Sequence, residues 1–399
     1  MPALAAALLA ACAVGPDYVR PTSPEPATFA RATPEQSAAT PAPADDAFWE
    51  RFGDPVLTGL VEEALAANND LRVALSRYDG ANALLRESKF DQLPTITAHG
   101  TASRSRLSAD QAPGVPRDAR EDVDSYDVNA SATWELDVFG RVRRNVEANR
   151  AGAEATANDL AALQVAIVGD VARNYFELRG LQERLRVARD NAENQRETLR
   201  LVQARFDAGR GTEFDTSRAR AQLETTLALV PALEADVAVA EHRIAVLTGR
   251  TPEALITELD APGALPALPD RIDAGTPGEL LRRRPDIAAA EERLHAATAR
   301  IGVATADLFP RFTLGGLIGS QAGDASALFG GDSQTGFVAL GIDWSFLDVG
   351  RVRARIAAAD ANAEGELASY RQTVLLALED TENALIRESR ARMEDEHRA

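Results

Sequence analysis

Aromatic side chains are scarce in this sequence: Phe, Trp and Tyr together make up 5% of it. So few large rings argue against a big globular core, and the Ala, Leu, Val, Arg and Glu that dominate instead favour long helices packed side by side. Cysteine occurs once, as Cys12, which excludes an intrachain disulfide. Lysine also occurs once, as Lys89, so nearly every cation is an arginine. The histidines His99, His242, His295 and His397 are scattered, with none paired at ligand spacing. There is no HExxH, no Walker loop and no GxSxG, and Gly209-Arg210-Gly211 follows a helical pattern where a phosphate cradle would follow a strand. Neither an enzyme nor a cofactor protein is expected. Basic surplus is missing too: the net charge of −18 argues against a nucleic-acid partner. No apolar run in the mature chain reaches the roughly 18 residues of a transmembrane helix. A β-barrel crosses lipid without one, so membrane residence has to be judged on alternation.

What the sequence does contain is organised by repetition. WELDVFGRVRRN begins at Trp134, and DWSFLDVGRVRA begins at Asp343. Trp134 and Trp344, Gly140 and Gly350, and Arg141 and Arg351 all stand 210 positions apart. Upstream, Asp70 and Asp286, and also Pro94 and Pro310, stand 216 apart. The order helix, Pro, middle segment, Trp, Gly-Arg-Val-Arg, helix therefore occurs twice. The six-residue change in offset must lie in the middle segments, where loop tips absorb length most cheaply.

Those middle segments alternate. Even positions from Ile96 to Ala102 are apolar or small while odd positions are mostly polar, and Tyr126, Val128, Ala130, Ala132, Trp134 and Leu136 repeat the pattern on a return strand. The second copy gives Phe312, Leu314, Gly316 and Ile318, then Val338, Leu340, Ile342, Trp344 and Phe346. Alternation of this length fits a strand between lipid and an aqueous lumen, and equally a soluble sheet covered on one face. In the membrane reading, four strands cannot close a barrel alone, so several chains must. Gly140-Arg141 and Gly350-Arg351 fall where alternation yields to helical spacing, and glycine turns a chain there without strain. Trp134 and Trp344, six residues earlier, suit either an interfacial aromatic girdle or core packing.

Beyond the first corner no proline occurs from Val142 to Phe206, which predicts a helical rod of about 100 Å. Arg205-Phe206-Asp207-Ala208-Gly209-Arg210-Gly211-Thr212-Glu213 supplies a turn, with Thr212 or Asp215 placed to cap a returning helix that Pro231 kinks or ends. At the other extreme Met1 to Ala11 reads as a signal segment, and Leu9-Ala10-Ala11-Cys12 as a bacterial lipobox. The chain thus divides into a signal (1–11), a lipidated start and Pro/Ala-rich tether with little to bury (12–46) and a helix (47–93). A hairpin (94–137), a helical hairpin with its tip near 206–214 (138–248) and a connection (249–277) follow. The second copy supplies a helix (278–309), a hairpin (310–347) and a long helix (348–399).

Lipobox, tether, doubled helix–hairpin–helix copies, the LDVFGRVR corner and the RFDAGRGTEFDTSRA turn together resemble the TolC-like outer-membrane factors. More narrowly they are similar to the NodT-type lipoproteins of resistance–nodulation–division (RND) efflux pumps. The resemblance runs from Cys12 to the last residue. It implies a mainly α fold with a β-barrel part: a homotrimer whose twelve-stranded barrel, set in outer-membrane lipid, continues into a periplasmic helical tunnel. It further implies a passive exit duct, joined through a periplasmic membrane-fusion adaptor to an inner-membrane RND transporter. Carried over by position, Cys12 is the lipidated residue. Arg205, Phe206, Gly209, Thr212 and Asp215 then lie at the periplasmic tip, where adaptors engage. One departure stands out, since 69 positions separate Gly140 from Gly209 and only 49 follow Gly350. On the family pattern a returning helix of about 50 to 60 residues is expected there, some 80 Å long, and these residues alone should make an incomplete tunnel. The alternative is a periplasmic coiled-coil scaffold, which would wash off the outer membrane where a duct would stay.

Overall fold

A computed structural model describes residues 13–22, 26–31, 47–106, 122–261, 263–266 and 275–398, with isolated positions in the 107–121 loop. In chain order the elements are α1 (Pro55–Ala67), α2 (Asn69–Phe90), β1 (Thr95–Ser105), β2 (Val123–Leu136), α3 (Arg141–Asp207), α4 (Glu213–Leu227) and α5 (Val230–Leu247). The one-turn α6 (Ile256–Leu259) leads to α7 (Pro277–Arg283), α8 (Pro285–Ala306), β3 (Arg311–Ala322), β4 (Gln334–Asp343) and α9 (Val349–Arg398). The protein is mainly helical with one antiparallel sheet. It forms two compact units: Met1–Pro24, Tyr78–Ala157 and Asp286–Leu376 in one, and Glu25–Arg77, Asn158–Pro285 and Ala377–Ala399 in the other.

The second unit holds a large aliphatic core. Leu57, Val61 and Ala64 recur on one face of α1 and bury with Val171, Tyr175 and Leu178 of α3 and Val237 and Ile244 of α5. Each such Leu or Ile stabilises the fold by about 1.5–3 kcal/mol. Asp54 starts α1, its Oδ1 accepting the N–H groups of Val56 (2.8 Å) and Leu57 (3.1 Å), with Pro55 where a missing N–H costs nothing. Its Oδ2 accepts the Tyr175 hydroxyl at 2.6 Å, which ties the cap to the core. Burial and this carboxylate push the Tyr175 phenol up to about 12.

Several expectations change here. The 47–93 helix is two helices, because Asn68 leaves the helical backbone (ψ 129°) and caps α2 with its own side chain. Its Oδ1 accepts from Asp70 N (2.9 Å) and Leu71 N (3.1 Å), and its Nδ2 donates to the Leu247 carbonyl (2.8 Å). The 278–309 helix divides at Arg284, whose ψ of 121° reflects the clash that a following proline imposes on helical geometry. The returning helix does break where Pro231 is expected to interrupt it, between α4 and α5, with the proline in the first turn of α5. Nor is the 12–46 region a bare tether. Phe29 is buried with Leu280 and Leu385, and the Glu382 carboxylate accepts the N–H groups of Ala30 (2.7 Å) and Arg31 (2.9 Å).

In the first unit, residues 13–22 form a strap on α3 and α8. Val14 N donates to the Phe139 carbonyl at 3.1 Å. Arg144, whose side chain is 5% exposed, reaches Asp17 (2.5 Å), Glu147 (2.8 Å) and the Val14 carbonyl (3.3 Å). Tyr18 stacks on His295 at 4.5 Å and donates its hydroxyl to Glu291 (3.2 Å), which Arg20 also meets at 2.9 Å. Gly15 and Gly302 touch so closely that a Cβ on Gly15 would lie 2.4 Å from Gly302 Cα.

The sheet of this unit runs β1-β2-β3-β4 with every pair antiparallel. The loop joining β1 to β2 (106–122) is longer than that joining β3 to β4 (323–333) by the six residues that separate the two repeat offsets.

Candidate functional site

Register turns the alternation of single strands into a surface. Ile96 pairs with Ala132, Ala132 with Gly316 and Gly316 with Val338; Trp134 pairs with Leu314 and Leu314 with Leu340; Leu136 pairs with Phe312 and Phe312 with Ile342. All the even-numbered apolar residues therefore share one face. That face is open: Ile96 is 74%, Ile318 73% and Val338 81% exposed. The opposite face carries Thr97, Ser131, His99, Asn129, Thr101 and Asp127, with Thr97 Oγ1 bonded to Ser131 Oγ at 2.8 Å. A soluble sheet would bury its apolar side and wet the other; here the apolar side stands exposed. From Tyr126 to Leu136 the face spans about 33 Å along the strand, or about 25 Å once tilted as barrel strands are. Past Tyr126 it becomes charged, at the bidentate pair of Arg104 with Asp124 (2.6 and 2.7 Å).

Each Trp is tied to the turn before its own hairpin. Trp134 Nε1 donates to the Gln92 carbonyl at 3.0 Å, and Trp344 Nε1 to the Leu308 carbonyl at 3.0 Å. Donors and acceptors repeat at the two offsets of the sequence, so the duplication persists to single hydrogen bonds. The indoles are thus neither buried core nor free. Each fixes its ring beside an exposed apolar face, and Trp344 also packs on Phe346 at 5.4 Å.

The two corners are not equivalent. Gly140 has φ +81°, a region closed to most side chains, and a Cβ there would meet Ala13 Cα at 2.5 Å. Asp137 caps α3 by accepting from Val142 N and Arg143 N, both at 2.9 Å, and from Arg143 Nε at 3.1 Å. Arg141 donates to Glu135 at 2.8 Å, and that ion pair holds its guanidinium above the ordinary arginine value. Gly350, expected to turn the chain in the same way, lies instead inside the first turn of α9, without a positive φ and with nothing near a built Cβ. Arg351 N donates to the Asp348 carbonyl (3.1 Å), and its side chain pairs with the Asp348 carboxylate (3.0 Å).

At the far end of α3 the turn explains its own sequence. Gly209 (φ +65°) ends the helix, with Gly209 N donating to Phe206 O and Arg210 N to Arg205 O, both at 2.8 Å. That is a Schellman stop, which needs a residue free to enter the left-handed region. Thr212 then caps α4: its Oγ1 accepts from Asp215 N (3.2 Å), while Asp215 Oδ2 accepts from Thr212 N (3.1 Å) and Oγ1 (2.6 Å). Those bonds hold the Asp215 carboxyl below the usual aspartate range. Phe206 and Phe214 stand exposed, and a cleft of about 510 Å³ beside them is lined by Arg205, Arg210, Asp215 and Arg218. Phe214 and Arg218 carry no capping or turn signature, so the local motif gave no reason to name them. Cys12 lies outside the described residues. Among the described residues no cluster of three or more His, Cys, Asp or Glu could hold a metal, and no helix is long and apolar enough to cross a membrane.

Residues 60–250 and 276–396 match the family profile described as outer membrane efflux protein. Nodulation protein T of Rhizobium leguminosarum bv. trifolii is 32% identical over 387 residues, covering 95% of this chain and 79% of that protein. Outer membrane protein OprJ of Pseudomonas aeruginosa is 32% identical over 402 residues, covering 98% and 81%. The outer-membrane channel OprN superposes with a TM-score of 0.89 at 42% identity, over 96% of this chain and 84% of that one. The open state of the Neisseria gonorrhoeae MtrE outer membrane channel gives 0.80 at 27% identity, over 96% and 84%.

Proposed function

The chain belongs to the outer membrane efflux protein family, and from that premise we propose how its parts divide the work of an outer-membrane efflux channel. The exposed apolar face of the sheet is the lipid-facing band, and the hydroxyl- and amide-rich face lines the aqueous lumen. β1 and β4 are the outer strands of the four, and lipid does not tolerate open strand edges. Three copies joined edge to edge close a twelve-stranded barrel, with Trp134 and Trp344 as the aromatic girdle at the end nearest the helices. Cys12 carries the lipid. The duct is passive: it carries small molecules outward while an inner-membrane RND transporter supplies the energy. A periplasmic membrane-fusion adaptor grips the tip at Arg205, Phe206, Gly209, Thr212 and Asp215. The Schellman turn and capping box give that tip one rigid shape to present, and Phe206 with the arginine-lined cleft supplies apolar and cationic contacts.

One observation carries this reading: the continuous apolar face formed across four strands is open to the surroundings. Single cysteines on each face test it in isolated outer membranes. Ile318→Cys and Val338→Cys should resist a water-soluble maleimide and react with a membrane-partitioning one. Asn129→Cys and Thr335→Cys should react with the water-soluble reagent. Equal water reactivity on both faces would return the sheet to the soluble scaffold reading.

A further inference from the structure

Glu241 sits on α5 among Val237, Ala240 and Ile244, all buried, and is itself 4% exposed. Its Oε1 is enclosed and receives no hydrogen bond from the described residues. An unfilled carboxylate acceptor at such a depth is costly, and an apolar side chain would pack there without that cost. Beside it opens a cleft of about 320 Å³, lined by Arg186, Arg189 and Asp190 of α3, Glu234 and Glu241 of α5, and Asp260 just past α6. Both arginines are already engaged. Arg186 pairs with Glu183 (2.6 Å) and Asp190 (2.7 Å), and Arg189 pairs with Glu234 (2.6 Å). Gln182 is engaged as well, its Oε1 accepting from Arg179 (2.8 Å) and its Nε2 donating to the Leu259 carbonyl (2.7 Å). Among the described residues, Glu241 and Asp260 form no ion pair, so the cleft keeps a surplus of two acidic groups.

We propose that this cleft binds the ammonium or guanidinium head of a monovalent organic cation, with Glu241 and Asp260 as its counter-charges. The surplus sign excludes an anion. Two carboxylates fall short of a metal cage, and no larger cluster of metal-binding donors exists among the described residues. The cleft is also far roomier than an ion needs. A guanidinium head gives the Glu241 carboxylate the cationic partner it lacks among the described residues. The site lies apart from the residues assigned to lipid, lumen and tip, and its occupancy does not depend on conduction.

Titration gives the site a signature. Burial holds the Glu241 carboxyl above its ordinary range, Asp260 adds to the effect, and neighbouring His242 opposes it. The other charged groups facing the cleft are the engaged Arg186, Arg189, Asp190 and Glu234. In the empty site Glu241 therefore holds its proton to higher pH than an ordinary glutamate, and a bound cation favours its loss. Binding must tighten as pH rises and must release a proton.

Calorimetric titration of the detergent-solubilised chain with butylguanidinium, at pH 5.5 and 7.5 and in buffers of different ionisation heat, tests this. Saturable binding is expected, stronger at pH 7.5 and accompanied by proton release. Glu241→Gln should weaken it at least tenfold and remove the pH dependence, and Asp260→Asn should weaken it several-fold. Glu241→Gln leaves no buried charge and should melt no lower than the parent, which separates lost binding from lost folding. An alanine-rich helical peptide bearing one arginine offers the same head from a polypeptide. Binding of butylguanidinium assigns the site to free cations, and binding of the peptide alone assigns it to a side chain of another protein. If neither binds, or if both substitutions leave binding unchanged, the proposal is overturned.

Discussion

At the first corner Asp137 stands three residues before Gly140, while at the second Asp348 stands two before Gly350. That shift changes the backbone. Asp137 lies outside α3 and must reach back to Val142 and Arg143, so the intervening chain folds through a positive φ at Gly140. Asp348 lies immediately before α9, its carbonyl accepting from Arg351 N and Val352 N, and Gly350 is taken up as an ordinary helical residue. The first corner has a further tenant: the strap fills the space where Gly140 would carry a side chain. Identical Gly-Arg-Val-Arg motifs thus serve one turn that needs its glycine and one that does not.

Alanine at the two glycines should separate them most sharply. Gly140→Ala forces a left-handed backbone on a side chain, which costs roughly 1–3 kcal/mol, and drives its Cβ into Ala13 as well. Gly350→Ala replaces a first-turn helical glycine in open space and should stabilise by up to about 1 kcal/mol. Urea denaturation in detergent should show opposite signs, and equal effects would erase the distinction. Next in size, Asp137→Ala removes the acceptor of two N–H groups and a guanidinium and should cost about 1–2 kcal/mol. Asp348→Ala, losing an exposed ion pair beside a carbonyl bond that survives, should cost less than about 1 kcal/mol. The same denaturation series reads both.

The smallest effect lies at the tip, where the capping box depends on an ionised Asp215. Its folded pKa is depressed, so its contribution is present above the unfolded value of about 4 and fades as pH falls through the folded value. Amide hydrogen exchange should show Thr212 and Asp215 losing protection in that acid window while the α1–α3 core keeps its own. Thr212→Ala should shrink the pH dependence without abolishing it, because the Thr212 N–H still donates to Asp215.

Much of this was legible because it is local. Alternation fixed which residues of each strand share a face, and the offset of Gln92 and Leu308 equals that of the prolines beside them. The turn after α3 could be read as a stop and a cap because Gly209, Thr212 and Asp215 act within a few residues of one another. What escaped depends on partners far along the chain. The break at Asn68 needs the Leu247 carbonyl, and the burial of Phe29 needs Leu280 and Leu385. The strap needs Gly302 and Glu291, and nothing near residue 15 announces either. Glu241 reads as one more acidic residue on a helix until its burial is known. Whether the alternating face was buried or open also had to wait for the register and the exposure of its residues.

The strap carries a consequence in time. Tyr18 bonds to Glu291, 273 positions later, so the stretch that leaves the ribosome early finds its seat only after most of the chain exists. Closing so long a loop is slow compared with zipping up a helical hairpin. The strap should therefore be a late step of folding, completed only when α8 arrives to hold it.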